Sequence, residues 1–234
     1  MRIQVLKSVF LIVFLVGNFS INAQDWANLK RFQKENEMLS IKTKAEKRVV
    51  FMGNSITEGW KNSHPEFFNK NPYICRGISG QTTPQMLLRF RQDVINLNAN
   101  VVVILAGTND IAGNTGPSTP EMIMDNIRSM AELATANNIR VVLCSVLPAL
   151  DYPWRKGLEP NIKIPELNKM IKAYADEKRF TYLDYFGAMA NEKNGMKAEY
   201  TTDGVHCTSM GYDVMEAMVV PAINKALKTK PVKK

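Results

Sequence analysis

Five short runs rich in β-branched and aliphatic residues punctuate the chain: Arg48–Met52, Tyr73–Arg76, Val101–Ala106, Arg140–Val146 and Thr181–Asp184. From Val101 to Ala106 the chain is apolar without interruption, the pattern of a strand buried on both faces. Between the runs, apolar positions recur with helical spacing over Pro84–Leu97, Pro120–Ala136, Ile162–Lys178 and Tyr212–Lys228. Met122 to Met130 reads as the core-facing stripe of the second of these helices. Strands alternating with long helices predict an α/β fold: a five-stranded parallel sheet, flanked by helices in three layers and joined by right-handed crossovers. No internal repeat, low-complexity linker or domain boundary interrupts the pattern.

The amino end follows a different pattern. Arg2 and Lys7 precede a short apolar run, Ser8 to Val16, and small and polar residues follow from Gly17 to Ala23. That layout predicts a secretory leader cleaved after Ala23, its apolar core too short to span a membrane. The mature protein is then exported, periplasmic or extracellular, with no stable membrane insertion. Cleavage leaves 211 residues, enough for one domain with a full core. Loss of Arg2 and Lys7 lowers the formal net charge from +8 to +6. The basic residues are spread along helices and gather only from Lys228 to Lys234, read as a disordered tail, so nucleic acid is not an expected partner.

Three cysteines, Cys75, Cys144 and Cys207, give no disulfide framework in an exported chain. Cys144 lies in an apolar run and reads as a buried thiol; Cys75 and Cys207 are left open as a pair. Their spacing does not resemble a zinc site.

In open parallel sheets, ligands bind beyond the carboxyl ends of the strands. The segments at those ends are Gly53-Asn54-Ser55, Gly77 to Gly80, Gly107 to Asp110, the Pro- and aromatic-rich Leu147 to Pro160, and, after the fifth run, Asp203 to His206. Only two histidines are present, His64 and His206. On a helix, the nine residues from Ser55 to His64 would span about 13 Å, too far for one hydrogen bond. His206 follows Asp203 by three residues, so in a turn or a first helical turn the carboxylate can orient the ring. Ser55 reads either as an exposed nucleophile or as a helix N-cap with Glu58 three residues on. Gly80 and Asn109 can supply oxyanion donors, or can serve as a turn glycine and a helix cap. Asp110 reads more simply as a loop cap. Trp60, His64, Tyr152 and Trp154 are a further set, the aromatics fit to stack on a sugar, line an acyl pocket or pack a loop.

Taken together, these segments resemble the SGNH (GDSL-like) hydrolase family. Gly53-Asn54-Ser55-Ile56-Thr57 is similar to its first block, whose familiar form reads Gly-Asp-Ser-Leu. Arg76-Gly77-Ile78-Ser79-Gly80-Gln81-Thr82-Thr83 resembles the second, Gly107-Thr108-Asn109-Asp110 the third and Asp203-Gly204-Val205-His206 the fifth. The resemblance spans nearly the whole mature chain and is strongest to platelet-activating-factor-acetylhydrolase-like acylhydrolases. It implies a flavodoxin-like strand order 2-1-3-4-5. It also implies Ser55 as nucleophile, His206 as base, Asp203 as its orienter, and Ser55, Gly80 and Asn109 as the oxyanion hole. Asn54 departs from the name-giving form at a position outside that set. The implied activity is hydrolysis of a small-molecule or glycan ester, a short acyl group such as acetyl, through an acyl-enzyme and without metal or cofactor. A lysophospholipase or thioesterase would use the same residues on a long acyl chain. A non-catalytic carbohydrate-binding protein would have lost one of them.

Overall fold

The computed structural model describes residues 25–39 and 46–230; the expected leader, residues 1–23, lies outside them, as do residues 231–234. Five strands form one parallel sheet: β1 (Val49–Gly53), β2 (Tyr73–Gly77), β3 (Val101–Ile104), β4 (Arg140–Cys144) and β5 (Thr181–Leu183). Their order is β2-β1-β3-β4-β5, with Val49 opposite both Tyr73 and Val101, Val101 opposite Arg140, and Val142 opposite Thr181. This is the order that the family resemblance implies.

Alternation along each strand sorts the core into two layers. Val50, Met52, Val102, Ile104, Val141 and Leu143 face one side. There they meet α4 (Thr83–Phe90), α6 (Pro120–Ala136) and α7 (Pro160–Lys178), through Met86, Phe90, Ile123, Ile127, Leu167 and Ile171. Val49, Phe51, Val101, Val103, Val142 and Cys144 face the other. They are covered by α2 (Ser55–Ser63), α3 (Pro65–Asn69), α8 (Tyr185–Met189) and α9 (Ser209–Lys228). Both sheet faces are therefore closed, which is why the central strands β1 and β3 read as continuous apolar runs rather than alternating ones.

The observed elements sharpen several of the expected boundaries. The third run leaves the ladder after Ile104, and the chain turns at Gly107, whose φ is +127°. The fourth ends at Cys144; beyond it, both backbone polar groups of Val146 bond the side-chain amide of Asn168 instead of a strand. The first long helix is α4 followed by one π turn, Arg91–Ile95. In the α6 stripe Met124 and Met130 are buried as expected, whereas Met122 is exposed. The last helix runs to Lys228, so that residue belongs to α9 and not to a tail. Outside the sheet's crossovers, α1 (Gln33–Met38) lies in an amino-terminal segment clasped to α4 and the π turn. Gln81, Gln85 and Gln92 donate to the carbonyls of Ala27, Trp26 and Leu29.

Candidate active site

Ser55 is placed by a tight strand-to-helix turn in which one residue, Asn54, separates β1 from α2. A Cβ on Gly53 would fall 2.0 Å from Thr57 Oγ1, so only glycine lets α2 start two residues after the strand. Asn54 is the N-cap; its Oδ1 accepts from the Ile56 N–H at 3.0 Å. That corrects the reading of Ser55 as cap. Asn and Asp are both strong N-cap residues, which gives the departure from the family's first block a physical basis. Glu58 does not close a capping box; its carboxylate accepts from Ser79 N–H and from the Ser79 hydroxyl, tying α2 to the loop after β2. Ser55 is thereby the first residue of α2, where a backbone N–H lacks an intrahelical acceptor.

Asp203 and His206 sit in a turn between the 3₁₀ turn Ala198–Tyr200 and α9. Thr201 Oγ1 accepts from the Gly204 N–H and donates to the His206 carbonyl. Asp203 Oδ1 accepts the N–H groups of Val205 and His206, at 2.9 and 2.8 Å. Gly204 takes φ +90°, a conformation that favours glycine. The turn leaves Asp203 Oδ2 2.7 Å from His206 Nδ1, and His206 Nε2 3.0 Å from Ser55 Oγ. With Nδ1–H given to the carboxylate, Nε2 is the acceptor for the serine hydroxyl. Partial burial pushes the Asp203 carboxyl up, but the two N–H donors and the His206 ring outweigh it and hold the group below the ordinary carboxylate range. The pair is open to solvent, with His206 36% and Asp203 35% exposed.

Gly80 and Asn109 come from the two neighbouring loops. Gly80 is exposed at φ +76°, and its carbonyl accepts from Asn114 Nδ2. Asn109 is the second residue of the short helix α5 (Thr108–Ile111) and does not cap it. The side chain is 3% exposed and donates to the Gln81 carbonyl at 2.9 Å. One amide hydrogen is thus committed, which fixes the amide plane and leaves the second free.

The support beneath these loops was not legible from motifs. Gln81 Nε2 donates to the Ala27 carbonyl, and its Oε1 accepts from Arg89 Nε at 2.6 Å. Arg89 is fully buried; its Nη2 donates to the carbonyls of Gly53 and Arg76 at the exits of β1 and β2, and its Nη1 pairs with Asp93 at 3.0 Å. Burial lowers the Arg89 guanidinium from its ordinary value, with Asp93 opposing. One cation therefore joins the turn before Ser55 to the residue that holds Asn109. The sequence signal was an Arg and an Asp four residues apart in an otherwise core-facing stretch. Asp110 is a buried fastener, as the simpler reading had it: it accepts the N–H and hydroxyl of Thr83, and burial pushes its carboxyl up to about 6 despite those bonds.

The aromatic set divides. Trp60 is 1% exposed, stacked on Phe67 at 5.2 Å and edge-on to Phe51, with its N–H on Glu216. It is core and cannot touch a substrate. Tyr152 is likewise fully buried; its hydroxyl donates to the Thr108 carbonyl and pins the long loop to α5. Trp154, 45% exposed, stacks on Tyr152 at 5.2 Å and lies 6.1 Å from the His206 ring. Of the three, only Trp154 faces the site. All three cysteines are free thiols: Cys75 donates to the Thr57 carbonyl, Cys207 contacts Met215, and Cys144 is buried.

The GDSL-like lipase/acylhydrolase family model matches residues 51–214, from β1 to α9. Among solved structures, a proposed acylhydrolase from Bacteroides fragilis is 51% identical, with a TM-score of 0.85 over 88% of this chain and 100% of that one. A GDSL-like lipase from Bacteroides thetaiotaomicron is 53% identical, with a TM-score of 0.84 over 86% of this chain and 98% of that one. An acetyl xylan esterase shares the fold at 21% identity, with a TM-score of 0.61 over 75% of this chain and 98% of that one. Comparison with curated proteins finds no significant match.

Proposed function

The chain belongs to the GDSL-like lipase/acylhydrolase family, a family of ester hydrolases, and from that premise we propose that it is a serine esterase for short acyl esters, acetyl above all, carried on carbohydrate. The observation that carries the mechanism is the hydrogen-bonded chain from Ser55 Oγ through His206 to Asp203, at 3.0 and 2.7 Å.

In this reading Ser55 Oγ attacks the ester carbonyl carbon while His206 Nε2 takes its proton. Asp203 holds the ring in the required tautomer and stabilises the imidazolium. The carbonyl oxygen becomes an oxyanion, met by the N–H groups of Ser55 and Gly80 and by the free amide hydrogen of Asn109. Collapse breaks the ester C–O bond, and His206 returns the proton to the leaving alcohol. A water, deprotonated by His206, then attacks the acyl-Ser55 ester, and collapse releases the acid and restores Ser55.

The openness of the Asp203–His206 pair favours a bulky alcohol such as a glycan, and Trp154 offers a ring face beside His206 for a sugar to stack on. The acetyl xylan esterase of the same fold agrees with that preference only by analogy. The leader-like amino end supports export, which amino-terminal sequencing of the mature protein would test. Substrate class is tested with p-nitrophenyl esters of increasing chain length, followed by acetylated oligosaccharides. Falling kcat/KM beyond short chains, with acetate release from the glycan, supports the proposal. A rise toward long chains would replace it with a lysophospholipase or thioesterase.

A further inference from the structure

The second histidine also stands between a serine and a carboxylate. His64 follows the last turn of α2. Its Nδ1 lies 2.8 Å from Glu216 Oε1 and its Nε2 2.7 Å from Ser209 Oγ. The indole of Trp60 can only donate, and it donates to the same Glu216 Oε1 at 2.9 Å. That oxygen is therefore an acceptor, so the hydrogen on His64 sits at Nδ1. In the neutral ring Nε2 then carries the lone pair, toward the Ser209 hydroxyl. Asp213 Oδ1, 3.9 Å from Nδ1, adds a second negative charge facing the ring, and the Tyr212 ring packs against it edge-on. The order hydroxyl, imidazole, carboxylate repeats that of Ser55, His206 and Asp203.

Exposure separates the parts in a useful way. The His64 side chain is 15% exposed, whereas Ser209 is open to solvent. Ser209 is the first residue of the 20-residue helix α9. The cap, Thr208, accepts from the Gly211 N–H, while the N–H groups of Ser209 and Met210 have no intrahelical acceptor. These two donors belong to Ser209 itself and to the residue after it, and backbone N–H groups are of the kind that stabilises an oxyanion. Ser209 is three residues from His206, so their Cα atoms are within about 11 Å of each other.

We propose that Ser209 is a second nucleophilic serine, which takes a short acyl group from activated esters with His64 as its base. In this step Ser209 Oγ bonds the ester carbonyl carbon and passes its proton to His64 Nε2. Collapse breaks the ester C–O bond, and the proton goes to the departing alkoxide. The products are an acylated Ser209 and a free alcohol. The step is independent of the Ser55 reading, which uses other residues.

The test is acylation of the Ser55→Ala protein by p-nitrophenyl acetate, read by intact mass and peptide mapping. Ser63 and Ser79, both exposed and with no imidazole partner, are internal references. Ser209 should take one acetyl group at least about tenfold faster than either, and His64→Gln in the same background should remove that advantage. Acetylation of Ser209 no faster than of Ser63 or Ser79 would overturn the proposal, as would an advantage that survives His64→Gln. Should His64→Gln fail to fold, the comparison among the three serines in Ser55→Ala decides alone. Wild-type protein run in parallel reports on Ser55 separately, so either reading can fail without the other.

Discussion

Replacing Asn109 with alanine should damage stability and chemistry by separable amounts. On the stability side, the side chain is buried and its amide holds the Gln81 carbonyl at 2.9 Å. Losing that bond leaves a buried carbonyl unpaired, at a cost of about 1–3 kcal/mol. For a chain of this size that lowers Tm by roughly 2–4 °C per kcal/mol, hence roughly 2–12 °C in all. On the chemical side, the free amide hydrogen meets an oxygen that is charged only in the transition state. Its loss should cut kcat by about 10²–10³-fold, or about 3–4 kcal/mol, and leave KM little changed. Calorimetry and steady-state hydrolysis of p-nitrophenyl acetate on one preparation measure both. A lowered Tm with kcat retained would show that Asn109 only braces the loop, and the oxyanion-hole assignment would be wrong.

Asp203→Asn should lower kcat by about 10⁴-fold while the turn survives, since an amide oxygen can still accept the N–H groups of Val205 and His206; full activity would refute its orienting role. Trp154→Ala should raise KM for an acetylated oligosaccharide by about three- to tenfold, leave p-nitrophenyl acetate unaffected and keep kcat; equal effects on both substrates would exclude stacking. Asp110, raised from 3.8 to about 6, makes a pH prediction. A carboxyl with a raised folded pKa stabilises most below its unfolded value, and that stability is lost as pH rises through 6. Melting curves should therefore move in favour of Asp110→Asn, relative to wild type, by up to about 3 kcal/mol between pH 4 and 7. Parallel curves would show that the Asp110 carboxyl does not titrate in that window.

The sheet was legible because both its faces are covered. The central strands β1 and β3 are then continuous apolar runs, and the longer helices show a clear period. The short elements were not: α3, α5 and α8 span five, four and five residues, too few for a helical period to register. Ser55, Gly80 and Asn109 were readable because each follows a strand, and Asp203 and His206 because their three-residue spacing stands just before the last helix. Their supports were not: Arg89 lies outside every motif, and Gln81, although inside the second block, has no role that the block reveals; both act through groups supplied by other segments. Trp60 and Tyr152 show the limit of composition. An aromatic near an active edge looks the same in sequence whether it faces a ligand or fills the core, and in both cases the polar tip found a partner inside: Glu216 for Trp60 and Thr108 for Tyr152.

The central assignment is Ser55 as the nucleophile that His206 activates. Titration of the wild-type protein with a fluorophosphonate, followed by peptide mapping and residual hydrolysis of p-nitrophenyl acetate, measures this in one experiment. The phosphonyl group should occupy Ser55 first, with turnover falling in proportion to that occupancy, and Ser55→Ala should fold normally yet show no steady-state turnover. Steady-state hydrolysis by Ser55→Ala at the wild-type rate, or full turnover with Ser55 occupied, would contradict the account.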